Sequence, residues 1–349
     1  MWKPHPPSPY RLCQTLLSQQ QHQQRCHLQT LSPKLSQHTN ATSKPTPSTT
    51  HRTSFDDLQP TDLAAYWDTQ PPSPTQLKSA SRFFAHTRHS PVKLYSAAQF
   101  RTIPYDSKEP EVAFLGKTNV GKSSLINALV DHEICRSGDK RGKTTEMNAY
   151  GIGGTKGGES KIVLLDMPGY GTGSKLEQGE EIMKYLQKRK QLRRTFILLD
   201  LHHGIKPGDQ QILTLLRQYA IPHQLVVSKV DRLLCNRVQD LKHWHTNRTV
   251  RNAKLAKLQS DLDALRAMDQ IPANINDARY EFAARLKATN GPPPLGEIIC
   301  VSAMKDVARN MKKSHLNIDA LRWSIMRATG FDGSLQGSTP MTQNKPVKT

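Results

Sequence analysis

The sequence predicts an α/β domain with a six-stranded mixed sheet, five strands parallel and one antiparallel at an edge, and helices on both faces. Three observations predict it. Short β-rich apolar runs recur through the chain, helical patterns lie between most of them, and one pair is joined only by "GGTKGGES". Strands buried on both faces read as continuous apolar runs, and parallel neighbours need a helical crossover.

The runs are "VAFLG" (112–116), "MNAYGI" (147–152), "KIVLLDMP" (161–168), "FILLDL" (196–201), "QLVVSKV" (224–230) and "EIICVSA" (297–303). The link between 152 and 161 is too short for a crossover, so that pair should form an antiparallel hairpin. Before this region, residues 55–95 alternate short apolar pieces ("LAAYW", "RFFAH") with proline-rich joints and read as a partly ordered lead-in. The regular domain is expected over 96–331. Within it, 233–292 forms a basic helical insert, where Leu255, Leu258, Leu262 and Leu265 recur at helical spacing. The tail 332–349 is polar, aperiodic and expected to be disordered.

Residues 1–54 contain no Asp or Glu, while Lys3, Arg11, Arg25, Lys34, Lys44 and Arg52 supply positive charge among Ser, Thr, Gln, His and Pro. Such composition reads as a mitochondrial transit peptide, so the mitochondrial matrix is the expected location. The chain carries a net charge of +20. Residues 91–349 hold 40 basic and 25 acidic side chains, so most of the excess belongs to the part that folds. That favours a polyanionic partner such as nucleic acid. Five cysteines without CxxC spacing argue against a disulfide framework and a zinc site. No run of 18 apolar residues suggests a membrane-spanning helix.

The chemistry lies in the loops after the strands. Gly116-Lys117-Thr118-Asn119-Val120-Gly121-Lys122-Ser123 fits G-x-x-x-x-G-K-[ST] between a strand and a helix. Backbone N–H groups in such a loop converge on phosphate oxygens at the positive end of the following helix. Lys122 reaches the outer phosphates, and the Ser123 hydroxyl suits Mg²⁺. In Asp166-Met167-Pro168-Gly169, the aspartate reaches Mg²⁺ through water and the Gly169 N–H faces a γ-phosphate. In Ser228-Lys229-Val230-Asp231, the lysine lies along a purine plane. Asp231 accepts from N1–H and the 2-amino group of guanine, a donor pair that adenine lacks. That loop alone is an ordinary surface loop. In Val301-Ser302-Ala303 the alanine N–H faces guanine O6. In "RGKTTEMN" (141–148), Thr144 or Thr145 completes the Mg²⁺ shell only while a γ-phosphate is present. Five such loops in this order specify a GTPase.

The chain resembles the EngB (YihA) family of small GTPases, a likeness carried by "GKTNVGKSSLINAL", "GKTT" (142–145), "DMPGYG" (166–171), "LLDLHHGIKPGD" (198–209) and "SKVD" (228–231). "SAAQF" (96–100) resembles that family's first strand. The resemblance covers roughly 95–331. It implies a Ras-like G domain with GTP or GDP as ligand and contacts at 116–123, at Gly142, Lys143, Thr144, Thr145 and Glu146, and at 166–169, 228–231 and 301–303. Ser123 and Thr144 would ligate Mg²⁺. Lys122, Thr144, Gly169 and Asn119 would serve catalysis, and Asn119 matches the asparagine with which potassium-stimulated relatives hold K⁺. The insert is longer than in bacterial members, and Lys143 stands where many carry arginine.

Tyr170 follows D-x-x-G, where Ras-type proteins place a glutamine that orients water, so slow intrinsic hydrolysis is expected. Two roles compete. One is a monomeric switch docking on large-subunit ribosomal RNA or ribosomal proteins through "KYLQKRKQLRR" (184–194) and Arg248, Arg251, Lys254 and Lys257. The other is a protein-binding switch or scaffold in cell or organelle division. Asp200, His202 and His203 are expected to be loop structure rather than a metal site.

Overall fold

The computed structural model describes residues 58–135, 144–157, 159–171, 176–235, 247–267, 294–304 and 315–333. Gly142, Lys143, the N-terminal segment 1–54, insert residues 236–246 and 268–292, and the tail from 334 lie outside the described residues.

Among the described residues one sheet holds eight strands: β1 (Ala64–Tyr66), β2 (Val92–Ala97), β3 (Glu111–Gly116), β4 (Met147–Ile152), β5 (Ile162–Asp166), β6 (Leu192–Leu199), β7 (His223–Val227) and β8 (Glu297–Cys300). Their order is β1-β8-β7-β6-β3-β5-β4-β2. The five central strands, β5, β3, β6, β7 and β8, are parallel. β4 and β5 form the expected antiparallel hairpin.

Two expectations need correction. The sheet has eight strands rather than six, and β4 is not an edge, because β2 pairs antiparallel with it while β1 closes the other side on β8. β1 has only three residues, and β2 exposes most of its side chains. β1 lies within the short apolar piece "LAAYW", too brief to stand out as a strand, and β2 shows no apolar run because it joins by backbone pairing at an exposed edge. The strand near "SAAQF" also ends at Ala97, and Phe100–Thr102 form a 3₁₀ turn.

Helices α1 (Pro74–Phe84), α2 (Lys122–Leu129), α3 (Leu176–Lys188), α4 (Pro207–Gln218), α5 (Val230–Leu234), α6 (Arg248–Ala267) and α7 (Ile318–Thr329) complete the domain. Ser73 and Gln76 box the start of α1, with Pro74 at its first position, where no N–H is needed. Residues of one strand alternate between faces. Val112 and Phe114 join the core under α1, α2 and α7, where Phe114 stacks on Phe196 at 5.5 Å. Ala113 and Leu115, out of phase with them, are buried towards the opposite side. Arg322 of α7 ties the first face together, since its Nε donates to Leu129 O at 2.8 Å and so satisfies a carbonyl at the end of α2.

A buried ion pair anchors the start of β3. Glu111 is fully buried and accepts from Arg189 Nη2 at 2.6 Å, Arg189 Nε at 2.9 Å and the Tyr185 hydroxyl. Removing one partner strands the other charge without water. Glu111→Ala should therefore cost about 3–5 kcal/mol in urea unfolding, and a Glu111→Leu/Arg189→Met pair should recover much of it. A loss below about 1 kcal/mol for the single change would show that water reaches the pair.

Candidate functional site

The loop between β3 and α2 is shaped by what cannot be there. A Cβ on Gly116 would lie 2.8 Å from Val120 Cγ1 and 3.0 Å from Leu198 O. Gly121 holds φ at 106°, a left-handed conformation that side chains resist. Asn119 reaches φ 64°, which asparagine tolerates better than most residues. The loop turns back on itself at the positive end of α2.

Lys122 is 7% exposed, and its ammonium donates to Gly116 O at 2.9 Å and Lys117 O at 3.2 Å. Burial pushes its pKa down to about 8, against the pull of Asp166. Asp166, at the end of β5, is pushed upward by burial, opposed by Lys122 and by Ser123. Lack of water drives both groups towards neutrality, and each partly restores the other.

Ser123 Oγ donates to Asp166 Oδ2 at 2.6 Å, while Asp166 Oδ1 is buried with no partner. A hydroxyl oxygen beside a carboxylate with a spare oxygen is the hard donor set that Mg²⁺ prefers. Ser123 and Asp166 thus fit the ion. Thr144 is half-buried ahead of β4, with Thr145 and Glu146 exposed beside it. Gln178 of α3 donates to Thr145 O at 3.1 Å.

The D-x-x-G loop lies against the cradle. Thr118 N donates to Tyr170 O at 3.1 Å, and a Cβ on Gly169 would meet Thr118 Cα and N at 2.9 Å. Only glycine permits that approach. Met167 and Pro168 are buried, and Met167 N donates to Phe114 O at 3.3 Å.

The third loop reaches the cradle from the other side. Ser228 Oγ donates to Val120 O at 2.9 Å. Lys229 sits in the left-handed region at φ 56°, and its Nζ donates to Asn119 O at 2.7 Å and Asp200 Oδ2 at 3.1 Å. Val230 N donates to Val301 O at 3.1 Å, joining this loop to the one after β8. There Ser302 is buried and Ala303 half-buried. Asp231 is 7% exposed, and its Oδ1 has no partner.

Two residues of the "LLDLHHGIKPGD" stretch take roles in the site that the sequence did not assign them. Asp200, at the end of β6, holds the Lys229 ammonium and lies 3.3 Å from His203 Nδ1. Asp209 accepts from the Tyr170 hydroxyl at 2.9 Å and from Lys206 N at 2.9 Å, so Tyr170 is tied to the first turn of α4. Both aspartates lie in the "LLDLHHGIKPGD" stretch, and the signal was acids spaced nine apart in a loop after a strand. With Lys117, Asn119, Lys206 and Lys229 they wall a cleft of about 420 Å³.

The basic clusters separate into two kinds. Arg189 and Arg251 are each 8% exposed, and Lys254 donates to Leu234 O. Lys184 pairs with Glu181, and Arg194 Nη1 donates to Gln224 Oε1 at 2.8 Å. Four of these five are buried or half-buried, whereas the Lys184–Glu181 pair lies at the surface. Lys188, Lys190 and Arg193 are exposed.

A family model described as 50S ribosome-binding GTPase matches residues 111–229. The protein named "Probable GTP-binding protein EngB" in Bartonella bacilliformis is 38% identical over 141 residues, which cover 38% of this chain and 66% of that protein. Its namesake in Rhizobium etli is 42% identical over 132 residues, covering 35% of this chain and 61% of the relative. The match thus spans just under two thirds of these relatives' length. A solved structure of Era from Aquifex aeolicus bound to GDP·AlF4⁻ aligns with a TM-score of 0.39 at 20% identity, over 64% of this chain and 57% of that one. With the cradle, the D-x-x-G loop and the S-K-x-D loop meeting at one end of the sheet, the chain carries a GTPase domain similar to that of the EngB-type GTP-binding proteins.

Proposed function

We propose that this chain is a GTP-hydrolysing switch that assists assembly of the large ribosomal subunit in mitochondria. The observation that carries the nucleotide part is Asp231. A buried carboxylate oxygen without a partner is costly, and the N1–H and 2-amino groups of guanine supply the pair of donors it lacks. Lys122, already desolvated beside the cradle, gains a phosphate oxygen in place of two backbone carbonyls. Gly169, packed on Thr118, would present its N–H to the γ-phosphate. Bound Mg²⁺ would neutralise charge developing on the phosphate oxygens. The Tyr170 hydroxyl is committed to Asp209 and does not orient water, in keeping with slow intrinsic hydrolysis.

Asp231→Asn should weaken GTP binding by about a hundredfold or more, and ATP should not compete with GTP for the wild type. Equal uptake of ATP would remove the guanine reading. Asn119 is the K⁺ ligand in this proposal, held at the mouth of the cradle by its left-handed backbone. Hydrolysis should slow when Na⁺ replaces K⁺, and equal rates would remove that role.

The ribosomal part is supported by the charge of residues 91–349, by the description of the matching family model and, for the compartment, by the acid-free start of the chain. The test is co-sedimentation with mitochondrial large subunits in the GTP but not the GDP state, weakened by salt. Capture of a protein partner that survives nuclease, without subunit binding, would favour the division role instead.

A further inference from the structure

The end of the sheet opposite the cradle carries a surface that the nucleotide does not use. The C-terminal ends of α3 and α4 frame an open groove of about 420 Å³, walled by Leu186, Gln187, Tyr219, Ala220, Ile221 and Pro222. Leu186 and Ile221 are buried, while Tyr219 is 39% exposed. Ala220 takes φ 51°, a strained left-handed conformation for alanine, in the turn that carries the chain from Tyr219 into β7.

The turn joining α3 to β6 supplies the charge. Lys190 on it, Lys188 at the end of α3 and Arg193 near the start of β6 are exposed. Its far side holds the 104–107 segment in place, because Arg189 Nη1 donates to Pro104 O at 2.8 Å and Gln191 Nε2 to Ser107 O at 2.7 Å. That fixes Tyr105, which is 83% exposed, next to exposed Lys108. Asp106 and Glu109 are the acids of this segment, so four exposed cations face two carboxylates.

A basic turn flanked by two exposed tyrosines matches an unpaired nucleic acid strand, whose bases stack on rings while its phosphates lie on cations. Two helix C-termini end at the groove, and their partial negative charge suits a neutral base bearing N–H donors rather than a phosphate. We propose that this face binds single-stranded RNA, with one base in the groove against Tyr219 and neighbouring phosphates on Lys188 and Lys190. The proposal rests on the reading of the chain as a ribosomal RNA-directed switch.

The test is fluorescence anisotropy of the full chain, loaded with a non-hydrolysable GTP analogue, against a labelled mixed-sequence single strand of about 12 nucleotides. Tyr219→Ser should weaken binding about tenfold and Tyr219→Phe should restore most of it. Lys188→Ser/Lys190→Ser should lower the slope of log affinity against log salt by about 1.4. GDP affinity should stay unchanged in all three. Affinities for RNA within about twofold of wild type in Tyr219→Ser and in Lys188→Ser/Lys190→Ser would overturn the assignment, as would equally tight binding of a duplex. If those variants still co-sediment with large subunits, the ribosomal reading stands without this surface. Loss of subunit binding by Tyr219→Ser with unchanged oligonucleotide affinity would give the groove to a protein and likewise overturn it.

Discussion

The ammonium of Lys122 lies where almost no water reaches it, and the arrangement of the site follows from that burial. Its two carbonyl partners belong to the loop it closes, and the carboxylate that offsets its charge, Asp166, comes from a neighbouring strand. Glycine at 116 lets Val120 and Leu198 approach the loop, and glycine at 121 lets it turn into α2. A cation held this way needs little reorganisation to meet an anion, and such preorganisation is how a phosphate site gains affinity.

The loops are also fastened to one another. Thr118 bonds to Tyr170, Ser228 to Val120, Lys229 to Asn119 and Asp200, and Tyr170 to Asp209. A change at the D-x-x-G loop is therefore felt in the cradle and in the first turn of α4. Close-packed contacts of this kind favour discrete rearrangement over gradual deformation. The tyrosine after D-x-x-G serves as a tether between two loops.

Positive charge divides by its partners. Arg189 and Arg251 are buried, with Arg189 neutralising Glu111, whereas Lys188, Lys190 and Arg193 meet solvent. A lysine or arginine count along a helix overstates the surface available to phosphate, because long side chains also bury their stems and cap carbonyls.

The amino-acid sequence alone determined the parallel core, the β4–β5 hairpin and the residue types of the loops that follow the strands. Those features are local: apolar runs, a link too short to cross over, and residue types at set spacing. The tertiary structure decided what depends on distant pairing. β1 and β2 join through backbone hydrogen bonds that carry no side-chain pattern. Asp200 meets a lysine 29 residues away, and Arg189 a glutamate 78 residues away. Which cations are buried and which remain free is settled only when the chain brings their partners together, since burial is a property of neighbours and not of the residue itself.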